Sequence, residues 1–594
     1  MNSVRVSLVV LAVFVAVVAS AVGAQAAQFS DVPKYQWAWA YIQGVSDADV
    51  AMGYGDGTYK PDLVVTRDTM AVYIARALAG GDANVLPGPD TATFSDVPTD
   101  QWAFKYIEYC ADPAQGVVQG YSDGTYKPGD PVNRDAMAVY IARAVAGGDA
   151  GVPPGPSSAK FPDVPTDQWA FKYIEYCADP AQGVVQGYPD GLYRPGNPVT
   201  RDQMAVYICR AFHLPMPPQP YNVTDYFPLT QRRTWFHVTP GTPGNFTSEV
   251  AAGTATISGQ IYTALVDNPD GGTGYWQTAP DGLRTARSHD PTIPADTLFQ
   301  PPILLPNGLD PGDSETETAA ITINSVPSGQ ASFTYTLVGT ETVTAPAAVF
   351  QDCLKFEILI ETPQHGTQHF YQWYAKNVGA VQYDSRPFGG EDSWALAGYT
   401  APSSNPPGPP YNITDCFPLD QGDSWTYLAS WESGSVTHTI SGTTTLLGQV
   451  YSNLVHPDNY TDYFQDGADG LHVGGSQDQG QVTLFSPALV MPNGLTPGQT
   501  GTDNTTVYVG GVYQGTATAH ITFFGLDDVT VPAGDFTNCM KFEIELIAPG
   551  GTTQGHFYWW LGPGMGETIE DETPFGDDWC LLLQSATVGG VTYP

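Results

Sequence analysis

Two families of internal repeats constrain this chain more than any other feature, because a small repeat that cannot bury its own apolar face must pack against its copies. The first family has three copies, opening at Phe29-Ser-Asp31-Val-Pro33, Phe94-Ser-Asp96-Val-Pro98 and Phe161-Pro-Asp163-Val-Pro165. Each continues through a Trp-Ala pair (Trp37, Trp102, Trp169) to Gly-Tyr-x-Asp-Gly-x-Tyr-x-Pro, at Gly53 to Pro61, Gly120 to Pro128 and Gly187 to Pro195. A last segment begins at Arg67, Arg134 or Arg201. The copies occupy residues 28–83, 93–148 and 160–214, with Pro/Gly-rich joints at 86–89 and 152–156.

Each copy reads as helix, turn, helix. Trp37, Ala38, Tyr41 and Ile42 fall at helical spacing and predict one buried stripe, although a groove-lining role for the indoles stays open. The Asp56-Gly57 pair supplies a turn that needs positive φ, and Pro61 stops regular structure before the next element. Thr66 is a good N-cap for a second helix carrying Met70, Tyr73, Ile74 and Ala77 inward, and Asn133 and Thr200 are its counterparts. About 55 residues bury too little apolar surface alone, so the three copies are expected to pack as one α-helical bundle.

The second family has two copies, residues 221–401 and 411–594, each after a Pro-rich linker at 215–220 and 402–410. Tyr221-Asn-Val-Thr-Asp-Tyr-Phe-Pro-Leu229 matches Tyr411-Asn-Ile-Thr-Asp-Cys-Phe-Pro-Leu419, Cys353-Leu-Lys-Phe-Glu-Ile358 matches Cys539-Met-Lys-Phe-Glu-Ile544, and His369-Phe-Tyr matches His556-Phe-Tyr. Met540, Phe542, Ile544 and Leu546 alternate with Lys541, Glu543 and Glu545, the period of a half-buried strand. With dense Thr and Val and frequent Gly turns, both copies read as tandem antiparallel β domains, barrel- or sandwich-like. The fold class is therefore multidomain, a helical three-repeat bundle followed by two β domains.

Lys and Arg total 22 against 61 Asp and Glu, a net charge of -39, which repels a polyanion and argues against nucleic acid as a partner. Residues 1–26 combine Arg5, an apolar run from Val6 to about Val22 and the small-residue site Ala24-Gln25-Ala26, the pattern of a cleaved secretory signal peptide. No later apolar run is long enough to span a bilayer, so retention at a surface would fall to a binding domain.

Cys416 and Cys580 are present together in the second β copy and absent together from the first, where Tyr226 and Ala395 stand; this predicts a disulfide between them. Cys353 and Cys539 read as free thiols. Cys110, Cys177 and Cys209 are left open between a Cys110–Cys177 link and buried free thiols.

Phe-x-Asp-Val-Pro, Trp-Ala, Gly-Tyr-x-Asp-Gly-x-Tyr-x-Pro and the Arg-Asp helix start, three times in that order, resemble the S-layer homology family over residues 28 to about 214. The resemblance implies three repeats arranged with pseudo-threefold symmetry, whose grooves bind cell-wall carbohydrate, often a pyruvylated secondary polymer. Arg67, Arg134 and Arg201, with Thr66, Asn133, Thr200, Tyr54, Tyr121, Tyr188, Trp37, Trp102 and Trp169, are the candidate ligand-binding residues. A cation at the first position of a helix is disfavoured by the dipole, so its threefold recurrence beside unpaired N–H groups points to an arriving carboxylate. The competing reading is an internal ion pair to Asp31, Asp96 or Asp163, or to Asp68, Asp135 or Asp202. The usual Thr-Arg-Ala-Glu/Gln motif is altered to Arg-Asp here, which leaves peptidoglycan as a second candidate polymer. The β copies also resemble, less specifically, a module of bacterial secreted proteins and lipoproteins that implies no activity.

No His-Glu-x-x-His pair, Gly-x-Ser-x-Gly elbow or phosphate-cradling loop is present, so no catalytic residue, metal or cofactor is assigned. Gly366 between His365 and His369 suggests a turn, so the two read as surface or packing histidines rather than a metal pair, and Glu357 with Glu361 read as solvated strand carboxylates rather than a glycosidase pair. The expectation is a secreted, envelope-associated, non-catalytic protein displaying two β modules for structural or adhesive roles, with self-association in a surface layer left open. An anchored carbohydrate-active hydrolase is the alternative.

Overall fold

The computed structural model describes residues 29–593 apart from 189, 231, 240–245, 269–270, 292–294, 364–365, 405, 431–434 and 576–578. The expected signal peptide and His365 therefore lie outside the described residues. The chain forms two compact units, one ending at Gln219 and the other spanning Pro220–Pro594.

The described residues of the first unit form six α-helices, two per repeat: α1 (Trp39–Asp47), α2 (Arg67–Ala79), α3 (Phe104–Ala111), α4 (Arg134–Ala146), α5 (Phe171–Ala178) and α6 (Arg201–Phe212). Between the helices of each pair runs the Asp-Gly turn, with Gly57, Gly124 and Gly191 at φ 82, 78 and 80° as the sequence requires. The Phe that opens each repeat packs on the following Tyr, for example Phe29 on Tyr59 at 5.2 Å between ring centres. A Cβ on Gly53 would lie 2.3 Å from the Phe29 ring, so glycine is required there by close approach.

Three extended segments close the bundle. Val65 N–H donates to Val199 O, Val199 N–H to Val132 O and Val132 N–H to Val65 O, each at 2.9 Å, and all three side chains are buried. This cyclic triangle gives the pseudo-threefold arrangement that the family resemblance implied. It also places the start of each second helix against the turn of the next repeat. The Arg67 and Asp68 N–H groups donate to Asp130 O and Pro128 O, those of Arg134 and Asp135 to Asn197 O and Pro195 O, and those of Arg201 and Asp202 to Leu63 O and Pro61 O.

The second unit is all β. Strands β1 (Thr234–Val238) to β12 (Ser393–Pro402) form an antiparallel meander whose last strand pairs back on its first, Trp235 opposite Tyr399. Strands β13 (Ser424–Ala429) to β24 (Cys580–Val588) close likewise through Trp425 opposite Ala586, and β25 (Val591–Tyr593) adds to the end. The two ladders match the two sequence copies, yet they share a core and an edge. The final residues of β12 pair with β20 (Val512–Val531), Tyr399 opposite Thr530 and Pro402 opposite Asp527, and Phe236 of the first copy packs edge-on against Trp560 of the second.

The alternation expected over residues 540–546 is present, with Met540, Phe542 and Ile544 buried. Lys541, expected outward, is buried as well. Its face is covered by Tyr558 and Trp560, with the ammonium 4.4 and 4.5 Å from their ring centres.

Candidate inter-repeat grooves

Arg67, Arg134 and Arg201 open α2, α4 and α6, but their side chains reach across the repeat boundary. Arg201 Nε donates to Tyr59 O at 2.8 Å, Nη2 to Met52 O at 2.9 Å and Nη1 to the Tyr73 hydroxyl. Arg134 Nε donates to Tyr193 O at 2.8 Å, Nη2 to Gln186 O at 3.3 Å and Nη1 to the Tyr207 hydroxyl. Arg67 repeats the Nε bond, to Tyr126 O at 2.7 Å, and is half-buried, its guanidinium 4.9 Å from the Tyr121 ring centre. Arg134 and Arg201 are 3% and 5% exposed.

No carboxylate pairs with any of the three among the described residues. The Asp candidates are engaged elsewhere. Asp31, Asp96 and Asp163 each cap the next turn, Asp96 for instance accepting from Tyr126 N–H at 2.7 Å and Lys127 N–H at 2.8 Å. Asp68, Asp135 and Asp202 accept a neighbouring N–H through one oxygen and an indole through the other: Trp102 Nε1 on Asp68 at 3.1 Å, Trp169 on Asp135 at 3.2 Å and Trp37 on Asp202 at 3.0 Å. The internal ion-pair reading is therefore excluded. So is the idea that free helix N–H groups complete an anion site, since repeat packing has consumed them.

The three indoles are not the buried stripe expected from spacing. Trp37, Trp102 and Trp169 are 57, 62 and 63% exposed and precede their helices. The buried aromatic is two residues later, at Trp39, Phe104 and Phe171, where α1, α3 and α5 begin. Tyr54, Tyr121 and Tyr188 lie each between two cations. Lys60 and Arg201 approach the Tyr54 ring to 4.1 and 5.1 Å, Lys127 and Arg67 that of Tyr121 to 4.1 and 4.9 Å, and Arg194 and Arg134 that of Tyr188 to 4.3 and 5.1 Å. The hydroxyls of Thr66 and Thr200 donate to Asp68 and Asp202, and on α6 the Thr200 N–H donates to Gln203 Oε1 at 3.5 Å. Asn133 is the extended N-cap of α4 with no side-chain cap bond.

One groove encloses about 240 Å³ between Arg134, Tyr188, Gln203, Tyr207, Arg210 and Trp37. Arg210 was not foreseen. Its counterparts Arg76 and Arg143 pair with Asp82 and Asp149, whereas among the described residues Arg210 bonds Val184 O and no carboxylate. A missing Asp after the third repeat was the signal available in the sequence.

The S-layer homology domain family matches residues 28–71, 93–138 and 160–205. The chain carries three S-layer homology domains. Over these domains it is 32% identical across 165 residues to cell surface glycoprotein 1 of Acetivibrio thermocellus, covering 27% of this chain and 7% of that protein. It is 30% identical across 166 residues to the cellulosome-anchoring protein of the same organism, covering 27% of this chain and 34% of that protein. The chain thus matches about a third or less of these relatives' length. An exported protein described as having a YmcC-like fold, from Bacteroides fragilis, aligns with 30% of this chain and 97% of its own, at 17% identity and a TM-score of 0.21.

Outside the S-layer homology domains the expected Cys416–Cys580 disulfide is corrected. All seven cysteines are buried free thiols. Cys580 pairs opposite Asp571 and its N–H is held by Ser430 Oγ at 2.8 Å, whereas Cys416 packs near Cys539, so the two thiols sit against different strands. Cys110 and Cys177 are not linked either, since each points at a different helix backbone, Ala71 O and Ala138 O. His369 and His556 share one arrangement, hydrogen-bonded to Glu357 and Glu543 at 2.9 Å and stacked 3.5 Å above Phe388 and Phe575. Among the described residues no helix is long and apolar enough to cross a membrane.

Proposed function

We propose that this chain is a secreted, non-catalytic envelope protein held to a cell-wall polymer by its S-layer homology domains, with residues 220–594 displayed as two structural or adhesive β modules. The observation that carries the reading is the set of three guanidinium groups reaching across the repeat boundaries without a carboxylate partner among the described residues. A desolvated cation bonded to neutral carbonyls and hydroxyls alone is electrostatically incomplete, and a ligand carboxylate restores the pair. Its recurrence in a chain of net charge -39, where carboxylates are abundant, makes the omission informative. The exposed indole that its Asp holds beside each groove offers a flat apolar face of the kind sugar rings stack on. The printed names of the relatives, a cell surface glycoprotein and a cellulosome-anchoring protein, agree with a surface role. An acidic secondary wall polysaccharide is the ligand favoured by the guanidinium groups, with peptidoglycan second.

Co-sedimentation of the full mature chain with purified wall sacculi tests this. Arg67→Ala is expected to weaken binding at least about tenfold, and Arg67→Lys to recover only part of it, because a lysine lacks the planar fork. Sacculi stripped of acidic polymer are expected to lose the protein. Equal sedimentation of wild type and Arg67→Ala, with binding unchanged by stripping, would overturn the reading. Release of reducing ends from wall glycans by the full chain would replace the display role with the hydrolase alternative.

A further inference from the structure

The second β copy encloses a cavity of about 410 Å³, within the size range of pockets that take small organic ligands. Much of its wall is apolar, from residues such as Leu489, Met491, Ile521 and Ile544, but one part is acidic. Glu567 is 5% exposed. Its Oε2 accepts from Trp559 Nε1 at 2.9 Å, while Oε1 is buried without a hydrogen-bond partner among the described residues. Glu570 faces the same cavity because the ladder is bulged: Leu561 pairs with Glu567 and Trp560 with Ile569, leaving Thr568 extra. In a regular strand residues three apart would point to opposite faces.

Among the described residues no Lys or Arg lines this cavity. The His438 and His456 rings on its wall lie 4.0 Å apart, burial holds His438 neutral, and His456 is occupied by Asp462 at 3.1 Å. The acidic wall is also a departure between the two copies. Trp425 Nε1 donates to Met565 O as Trp235 Nε1 does to Val378 O, which sets the correspondence. By that register Glu567 and Glu570 replace Ala380 and Tyr383 of the first copy. An unsatisfied buried carboxylate oxygen is costly, and its presence at the wall of an apolar cavity calls for a donor that arrives from outside.

We propose that this cavity is a binding site for a small amphipathic amine, its ammonium seated between Glu567 and Glu570 and its hydrocarbon body against Met491 and Ile521. A primary ammonium has three donors and one positive charge, enough to satisfy Glu567 Oε1 and to offset the carboxylate pair. The Trp559 indole beside it adds cation–π attraction. A fatty acid would bring a like charge, and a sugar lacks the apolar body.

Calorimetric titration of the full mature chain with octylamine at pH 8, with octanoate, octanol and cellobiose as comparisons, tests the site. Octylamine is expected to bind at least tenfold tighter than each of the three. Glu567→Gln and Glu570→Gln, which keep the shape of the wall, are each expected to weaken it at least tenfold. Ile521→Trp, which fills the apolar end and leaves both carboxylates, is expected to abolish binding, and far-UV circular dichroism confirms that the variants are folded. Octanoate, octanol or cellobiose binding as tightly as octylamine, unchanged affinity in both glutamine variants, or no octylamine binding by the wild type would each overturn the proposal. Wall sedimentation, read in parallel, is expected to stay unchanged in these variants, which separates this site from the anchor.

Discussion

Glu567 and Glu570 show how one side chain can carry a cost that its neighbours do not remove. Burial raises both carboxyls above their ordinary value of 4.5, and mutual repulsion raises Glu570 further. The folded chain therefore keeps protons that the unfolded chain has already released, so stability falls as pH rises from about 4.5 toward neutrality and does not return above it. Glu567→Gln retains an acceptor for Trp559 and cannot ionise. Urea denaturation is expected to show the variant equal to wild type at pH 4 and more stable by about 2 kcal/mol at pH 8, the scale of burying an unpaired polar group. Equal stability at pH 8 would mean that Glu567 is already compensated. These two residues were invisible to motif reading. Aligning the β copies position by position, Glu567 against Ala380, would have exposed them, because divergence at a buried site of a duplicated module departs from what packing alone asks.

At the level of the helix pair and its turn, much of the S-layer homology region was legible. The glycine at positive φ, the start of α2 near Thr66 and its buried Met70, Tyr73 and Ile74 follow from local chemistry. The misplacement of Trp37 has a local cause too, since Ile42 lies four residues after Ala38 and three after Trp39, and helical spacing alone does not say where the helix begins. What sequence could not supply was the partner of each Arg, because the contact lies in the next repeat, and in the first repeat for Arg201. Asp96 shows how much one turn depends on a distant carboxylate. It accepts the Tyr126 and Lys127 N–H groups, and Lys127 sits at φ 58°, a conformation that needs such support. Asp96→Ala is expected to destabilise the helical unit by about 2 kcal/mol and to loosen the turn that carries Tyr121 and Tyr126 around Arg67. Thermal denaturation checks the first effect and sacculus binding the second. Asp90→Ala, at an exposed joint, is the control expected to change neither.

For the molecule as a whole, duplication in sequence does not mean duplication in folding units. The two β copies each close a ladder of their own, which alternation and turn residues foreshadowed. Closure itself, and the seam between copies, depend on pairings more than a hundred residues apart that no local pattern encodes. At that seam Arg232 of the first copy donates to Asp527 of the second at 2.6 Å, and Asp527, fully buried, also accepts from Trp560 Nε1 at 3.0 Å. Lys541 is the other cation acting on Asp527, and burial pushes its pKa down to about 8. Removing Arg232 takes a charge-assisted hydrogen bond from the buried Asp527 carboxylate, a loss of about 2 kcal/mol. Calorimetry of the full chain is therefore expected to show Arg232→Ala lowering the transition of residues 220–594 while leaving that of the S-layer homology domains in place. Because both copies share the seam, that transition should move as one. Splitting into two β transitions in the wild type would show instead that each ladder is stable alone and that the shared edge is incidental.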